Sequence, residues 1–185
     1  MKKTQQNLVK AFIGESMARN KYTFFAQKAR EEGYEWIARV FEETADNERA
    51  HAEREYQFLR EKTVTSGDFD LGPTGSTVEN LKTAAAGEHY EWGEMYPEFE
   101  KQAKEENQQA VAIVFKEISE VEEKHEERYL KLAGLLEKGE LYKAKEKSSW
   151  KCLNCGYLHK GKSAPATCPA CGKPQGYYQR LGLHQ

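Results

Sequence analysis

The feature that most constrains the fold of this chain is a repeated pattern of glutamate and histidine. A single glutamate is followed 33 or 34 residues later by a Glu-x-x-His motif, and this arrangement occurs twice. The first copy consists of Glu15, Glu48 and His51, and the second of Glu88, Glu122 and His125. A spacing of three residues places glutamate and histidine on the same face of a helix, one turn apart. The repetition therefore predicts a duplicated pair of helices.

Four long segments with helical character carry these motifs. They are predicted to run from about Thr4 to Glu32, Tyr34 to Lys62, Thr77 to Glu106 and Asn107 to Lys138. Gly33 and Gly139 end the first and the last segment, TVTSGDFDLGPTGST predicts a loop after the second, and Pro97 predicts a kink in the third. Two helical hairpins joined by one longer connection are typical of an all-α four-helix bundle of the ferritin-like kind, to which residues 1–139 are assigned.

The repeated glutamates and histidines fall on helix faces that carry apolar residues. Glu122 and His125 align at helical spacing with Phe115, Ile118 and Tyr129. Burying an isolated carboxylate costs on the order of several kcal/mol, whereas a pair of divalent irons would accept four or five carboxylates and two neutral imidazoles as ligands. One Glu-x-x-His arises easily by chance in a glutamate-rich chain, but two of only five histidines lie in matching contexts here. The pattern predicts a site for two non-haem irons.

One position breaks the symmetry of the repeat. Glu91 lies one helical turn after Glu88, and the equivalent position in the first helix is Ala18. A glutamate there is either a surface residue or a further ligand. Because its neighbours on the Glu88 face point inward, we expect a ligand that makes the two metal positions inequivalent.

The C-terminal part of the chain has a different composition. Residues 140–149 are charged and are interpreted as a linker, and residues 150–185 contain two Cys-x-x-Cys pairs separated by twelve residues: Cys152, Cys155, Cys168 and Cys171. Four cysteines at this spacing predict a tetrahedral site for zinc or a single iron, and the spacing alone favours neither metal. A glycine follows each pair and lets the backbone turn so that N–H groups point at the sulfur atoms.

Composition excludes several classes of protein. The chain has 185 residues, a net charge of −2 and no basic stripe, which argues against nucleic-acid binding. The N-terminal sequence MKKTQQNLVKAFIGE lacks the apolar region of a signal peptide, and no segment is long and apolar enough to span a membrane. All four cysteines belong to the tail, so none is left for a disulfide elsewhere. These features favour a cytoplasmic, metal-binding protein.

The helix motifs AFIGESMARNKYTFFA, ETADNERAHAE, AAAGEHYEWGEMYPEF and EEKHEERY resemble those of rubrerythrin, and CxxCGY and CPACG resemble its rubredoxin-like module. The resemblance covers essentially the whole chain. It implies that the di-iron ligands are Glu15, Glu48, His51, Glu88, Glu91, Glu122 and His125. It also implies that one iron moves between Glu91 when oxidised and His51 when reduced, and that Tyr22 and Tyr96 form hydrogen bonds near the site. The four cysteines would then hold a single iron, because zinc cannot carry electrons.

The activity implied by this resemblance is reduction of hydrogen peroxide to water. Electrons would arrive through the rubredoxin-like centre from an NADH-dependent reductase, often by way of a free rubredoxin, and the tail of one subunit of a homodimer would serve the bundle of the other. Three alternatives remain: iron oxidation and storage, a structural zinc-ribbon adaptor, and reduction of dioxygen rather than peroxide. The chain has no GxGxxG motif, so we expect it not to bind NADH itself.

Overall fold

The computed structural model describes residues 2–60 and 73–183. The first part of the chain is helical: α1 is Lys3–Glu31, α2 is Glu35–Tyr56, α3 is Thr77–Tyr90, a π-helical turn is Glu91–Met95, α4 is Tyr96–Glu105 and α5 is Gln109–Glu137. The π-helical turn joins α3 and α4 into one continuous rod. α1 packs along α2, and α5 packs along α3 and α4, so two hairpins form the predicted four-helix bundle. Among the described residues, no helix combines the length and apolar character needed to cross a membrane.

The helix ends follow local sequence signals. Gly33 has a left-handed φ of 84° after α1, and the Ser76 side chain caps α3 in a reciprocal capping box with Glu79. The fourth helical segment was predicted to begin at Asn107. This residue has a φ of 58°, and α5 begins two residues later. Asparagine tolerates this conformation, which turns the chain between α4 and α5.

Two other predicted features of the helices differ from the structure. The second helix was predicted to reach Lys62, but α2 ends at Tyr56, and residues 61 and 62 lie outside the described ranges. A kink was predicted at Pro97, whereas the helical pattern changes earlier, in the π-helical turn. Pro97 lies in the first turn of α4, where the missing proline N–H costs little.

Two apolar clusters fill the bundle, one towards each end. The cluster near Gly33 includes Tyr22, Phe25, Phe41 and Tyr129. The cluster at the other end includes Leu8, Tyr96, Phe99 and Phe115. Between the two lie buried carboxylates and the buried imidazole of His125, together with the partly buried His51. The bundle therefore contains a polar layer enclosed by apolar packing.

The C-terminal module is a three-stranded antiparallel sheet. Its strands are β1 Lys143–Cys152, β2 Leu158–Ser163 and β3 Tyr178–Arg180, in the order β2-β1-β3. Most of the segment interpreted as a linker, 140–149, therefore belongs to β1, and Leu141 is buried in the adjacent bundle cluster. The prediction was wrong because most residues of this strand are polar and partly exposed, so the strand lacks a clear alternation of apolar residues.

The module docks on the turn between α1 and α2. Gly176 lies against the backbone of Gly33, and an ideal Cβ on Gly176 would come 1.7 Å from the Gly33 carbonyl oxygen. Leu183 of the module also packs into the bundle cluster that contains Trp36 and Phe41. The tetracysteine module is thus held at the end of the bundle where the α1–α2 turn lies.

We expect Gly176→Ala to lower the free energy of unfolding by about 1–3 kcal/mol, because backbone must move to admit the methyl group. Thermal denaturation and limited proteolysis between the two parts of the chain would measure this effect. Gly134→Ala is the matched control, because its methyl group meets nothing within 4 Å and lies inside α5. That control should be neutral or slightly stabilising. Unchanged stability of Gly176→Ala would contradict the docking contact.

Candidate metal centres

Six of the seven predicted bundle ligands converge in the polar layer. Two sets of ligand atoms each lie within 4.8 Å of one another. The first set is Glu15, Glu48, His51 and Glu122, and the second is Glu48, Glu88, Glu122 and His125. Glu48 and Glu122 belong to both sets. The two carboxylates would therefore be available to both of two metal ions, while each histidine would be available to one.

The distances within these sets suit metal ligands better than hydrogen-bonded pairs. His51 Nδ1 lies 2.9 Å from Glu48 Oε2 and 2.9 Å from Glu122 Oε1, and His125 Nδ1 lies 2.7 Å from Glu122 Oε2. None of these buried atoms has a partner in hydrogen-bonding geometry among the described residues. Nitrogen and oxygen ligands at roughly 2.1 Å from a divalent ion lie about 3 Å apart. The side chains therefore fit two divalent ions, which would satisfy the atoms that lack partners.

Protons compete with metal for this cluster. Burial raises the pKa values of Glu15 and Glu88, and the neighbouring carboxylates raise them further. Burial alone would lower the pKa of His51, but the carboxylates of Glu122 and Glu48 outweigh it and raise this pKa to about 10. The same groups raise the pKa of His125 to about 9. Without metal, the cluster holds protons that two divalent ions would displace.

Two tyrosines hold carboxylates of the opposite hairpin. Tyr22 on α1 donates a hydrogen bond of 2.6 Å to Glu88 Oε1 on α3. Tyr96, the first residue of α4, donates to Glu15 Oε1 on α1. Each tyrosine belongs to one of the two apolar clusters, so the pair closes the polar layer from both sides.

Glu91 does not join the converging atoms, although it lies close to them. Burial raises its pKa, and Glu122 and Glu48 raise it further. Glu91 begins the π-helical turn, which accommodates one more residue than an α-helical turn would. Glu15 and Glu88 are 73 residues apart, whereas Tyr22 and Tyr96 are 74 apart. The residue inserted in the second repeat is thus absorbed at Glu91–Met95, and Tyr96 keeps the position that matches Tyr22.

Sequence reasoning missed two polar residues beside the site. The side-chain amide of Asn47 lies 3.1 Å from His125 Nε2. If Nδ1 of His125 binds a metal, Nε2 carries the proton and donates it to the side-chain oxygen of Asn47. This hydrogen bond holds the imidazole ring in one orientation. Glu55 is fully buried on α2 and contacts Tyr96. Their positions were the only sequence signals for these residues: Asn47 directly precedes Glu48, and Glu55 lies one helical turn after His51.

We expect Asn47→Ala to weaken metal binding at the His125 position by about 10–100-fold, because the imidazole loses the group that orients it. Competition with a chromophoric chelator would measure the two affinities separately. Asn20→Ala is the control, since Asn20 is exposed and its side-chain amide donates to the Ser16 carbonyl within the same helix. Equal affinities in the wild type and Asn47→Ala would show that packing alone orients His125.

The four cysteines form a second candidate centre. The Sγ atoms of Cys152 and Cys171 are 3.7 Å apart, as are those of Cys155 and Cys168. Sulfur ligands at about 2.3 Å from a tetrahedral ion lie about 3.8 Å apart, so the arrangement fits one metal. Gly156 and Gly172 have left-handed φ values, and the backbone N–H of Lys173, just after Gly172, lowers the pKa of the Cys171 thiol. Cys155 is exposed, which leaves one edge of this centre open to solvent.

Comparisons with known proteins agree with both centres. The rubrerythrin family model matches residues 6–133, and the model of the rubrerythrin rubredoxin-like domain matches residues 150–179. The chain is 48% identical to the rubrerythrin of Porphyromonas gingivalis, over 97% of this chain and 90% of that protein. It is 40% identical to the rubrerythrin of Nitratidesulfovibrio vulgaris, over 98% of this chain and 96% of that protein.

A solved structure of nigerythrin in its fully reduced, all-ferrous state is also similar. It matches with a TM-score of 0.65 at 36% identity, covering 96% of this chain and 86% of that chain. The bundle therefore carries a di-iron carboxylate–histidine site and the tail a rubredoxin-like tetracysteine site. With family models matched on both parts and relatives aligned over nearly their full length, this chain belongs to the rubrerythrin family.

Proposed function

We propose that this protein is a cytoplasmic peroxidase that reduces hydrogen peroxide to water in defence against oxidative stress. The observation that supports this function best is that one chain combines a two-metal carboxylate–histidine cluster with a tetracysteine centre. When iron is bound, the bundle site supplies two electrons and a binding position for peroxide, and the tetracysteine site supplies one-electron transfer. Storage of iron would need no such second centre.

The candidate ligands of the bundle would bind the two ions in different ways. Glu48 and Glu122 would hold both ions, Glu15 and Glu88 would each hold one, and the histidines would complete the two sets. Glu91 and His51 would be alternative ligands of the same ion. His51 belongs to the converging set in this structure, whereas Glu91 does not.

Peroxide and protons would reach the metal site from the side of α1. A groove of about 880 Å³ between α1 and the α3–α4 rod reaches Tyr22 and Glu91 and is lined by the small residues Gly14, Ala18 and Gly87. This groove is wide enough for peroxide, while the two apolar clusters keep bulk water from the rest of the site. Tyr22 and Tyr96 each carry a proton next to a ligand carboxylate, where reduction of peroxide consumes protons.

The electron donor would be a separate protein, such as a rubredoxin or an NADH-dependent reductase, that approaches the exposed Cys155. Within one chain, the cysteine module contacts Gly33, and about 27 Å of helix separates Gly33 from Glu15 at 1.5 Å per residue. This separation favours a homodimer in which the module of one subunit serves the bundle of the other.

The test is to reduce metal-analysed protein without air and mix it with one equivalent of hydrogen peroxide or of dioxygen in a stopped-flow spectrometer. The proposed function predicts three irons per chain, bundle oxidation that is much faster with peroxide, and later return of the reduced centres on addition of donor. Faster reaction with dioxygen would favour an oxygen reductase. Accumulation of many irons per chain would favour storage, and a colourless tail containing zinc would favour a structural adaptor.

A further inference from the structure

The net charge of the chain conceals an uneven distribution between its two parts. Residues 143–183 carry seven lysines, one arginine and a single carboxylate, Glu146, which gives this part a net charge of +7. Because the whole chain carries −2, residues 1–142 carry −9. Ion pairs are frequent on the bundle, but among the described residues none involves the eight cations of the C-terminal module. The module is therefore a basic body attached to an acidic bundle.

Strand pairing gathers part of this charge on one face of the sheet. Trp150 points into the core of the module and is buried. Because side chains alternate along a strand, its neighbours Ser149 and Lys151 point the opposite way. Lys151 pairs with Leu158 on β2, and Ser149 pairs with Lys160. We call the residues on this side the outer sheet face: Lys151, Leu158, Lys160, Lys162 and Leu181.

Two leucines lie exposed among the lysines of the outer sheet face. Leu158 is 59% exposed and Leu181 is 43% exposed. The backbone N–H of Leu181 donates to the carbonyl of Ser149, which places this leucine beside β1. Lysines on an edge strand can serve solubility alone, but that role needs neither exposed leucines nor an excess of one sign of charge. Apolar side chains surrounded by charges of one sign favour binding of a partner that carries the opposite charge.

The outer sheet face begins beside the tetracysteine centre. Lys151 directly precedes the ligand Cys152, and its pairing partner Leu158 begins β2 after the turn that contains the exposed Cys155. The close approach to the bundle is made at Gly176, and the three lysines of the outer sheet face remain exposed. A protein that covers this face would therefore lie next to the metal position without displacing the module from the bundle.

The dimensions of the outer sheet face favour a brief encounter over a permanent subunit contact. Three strands spaced about 4.8 Å apart, and four steps of about 3.3 Å from Leu158 to Lys162, span roughly 10 by 13 Å. A stable interface buries about 800 Å² on each partner, whereas encounters between redox proteins are smaller. The five residues of the face include no aromatic ring on which a nucleic-acid base could stack. The partner that fits best is a protein of opposite charge that binds transiently.

We propose that the outer sheet face is the docking surface for the electron donor, and that this donor is a small acidic protein that carries one electron. Opposite charge steers the donor to the face, and the two leucines hold it there briefly. The donor is oxidised by one electron and the tetracysteine centre is reduced by one, with no change of bonds. This inference rests on the proposed function, which requires such a donor. The lysines are scattered along the chain, and the pairing of β1 with β2 brings them together.

The test follows reduction of the iron-loaded tetracysteine centre by an acidic flavodoxin in its hydroquinone form, without air and without peroxide, in a stopped-flow spectrometer. In the wild type, the second-order rate constant should fall about 10-fold or more between about 0.02 M and about 0.5 M salt. Lys160→Glu combined with Lys162→Glu reverses the charge of two face residues. This reversed variant should react about 10-fold more slowly at low salt and lose the salt dependence. Alanine at both positions should give an intermediate rate.

A matched control and a measurement of binding accompany the kinetics. Lys101→Glu combined with Lys104→Glu makes the same change in net charge at exposed positions of α4, at the end of the bundle away from the module. It should keep the wild-type rate. With zinc in the four-cysteine site no electron moves, so binding is observed by itself. Oxidised flavodoxin should then shift the amide NMR signals of the outer sheet face in the wild type and not in the reversed variant.

Several results would overturn the proposal. Equal rates in the wild type and the reversed variant, including no reduction of either, would remove the docking surface. Equal slowing in the α4 control would reduce the effect to net charge. A reversed variant that sediments as a smaller species but keeps its rate with flavodoxin would assign the face to a second copy of the chain, and loss of binding to a DNA duplex at an unchanged rate would assign it to nucleic acid. Because no peroxide is present, failure of the proposed function would appear separately, as a reduced bundle that peroxide does not oxidise.

Discussion

Cys168→Ser is expected to reduce steady-state peroxide turnover by about 100-fold or more, while the first oxidation of the reduced bundle keeps its rate. Cys168 is buried in the core of the C-terminal module, with its Sγ 3.7 Å from that of Cys155. Serine is a poor ligand for a site built from thiolates, so the variant loses the metal through which electrons would re-enter. Stopped-flow mixing would give the single oxidation, and donor-coupled peroxide consumption would give turnover.

Loss of the metal would also destabilise the three-stranded sheet of the C-terminal module. The effect on folding therefore needs its own control. Zinc in the four-cysteine site preserves tetrahedral coordination but cannot change oxidation state. Wild-type protein with zinc in the tail and iron in the bundle should therefore match Cys168→Ser in turnover and the iron-loaded wild type in thermal stability. Normal turnover in the zinc-loaded protein would show that electrons reach the bundle without the tetracysteine centre.

The convergence of six candidate ligands in the bundle was predictable, because it depends on local spacing. A Glu-x-x-His motif puts both side chains on one helix face, whatever the position of the helix in the fold. Its repetition predicts two matching hairpins. The place of Glu91 was not predictable in the same way. The change in repeat spacing from 73 to 74 was visible in the sequence, but only the structure shows that a π-helical turn absorbs the inserted residue.

The residues that sequence reasoning missed depend on contacts between distant parts of the chain. Glu53 and Glu55 look alike in the sequence, yet one is exposed and the other is fully buried against Tyr96. Their burial follows from the rotation of α2 against α1 and α4, which no short motif specifies. The first residues of β1 were missed for a similar reason, because pairing with β2 rather than local hydrophobicity defines that strand.

Stability should depend on pH in opposite directions in the metal-free and metal-loaded protein. Without metal, the folded chain holds protons on His51 up to about pH 10 and on His125 up to about pH 9, whereas an unfolded histidine loses its proton near pH 6.5. The stabilisation by these two protons is complete below pH 6.5 and is lost as pH rises towards these values. The free energy of unfolding should fall by on the order of 1 kcal/mol per pH unit for each histidine.

Metal reverses this trend, because the same ligands must lose their protons to bind it. At a fixed excess of free ferrous iron under argon, affinity and hence stability should rise with pH. Between pH 7 and 8.5 the melting temperature of chelated protein should drop by roughly 10 °C, while that of loaded protein holds or increases. His89→Gln, at an exposed position paired with Glu126, should leave both trends unchanged. A metal-free protein that grows more stable over this range would contradict the protonated cluster, since its histidines would then already be neutral in the folded state.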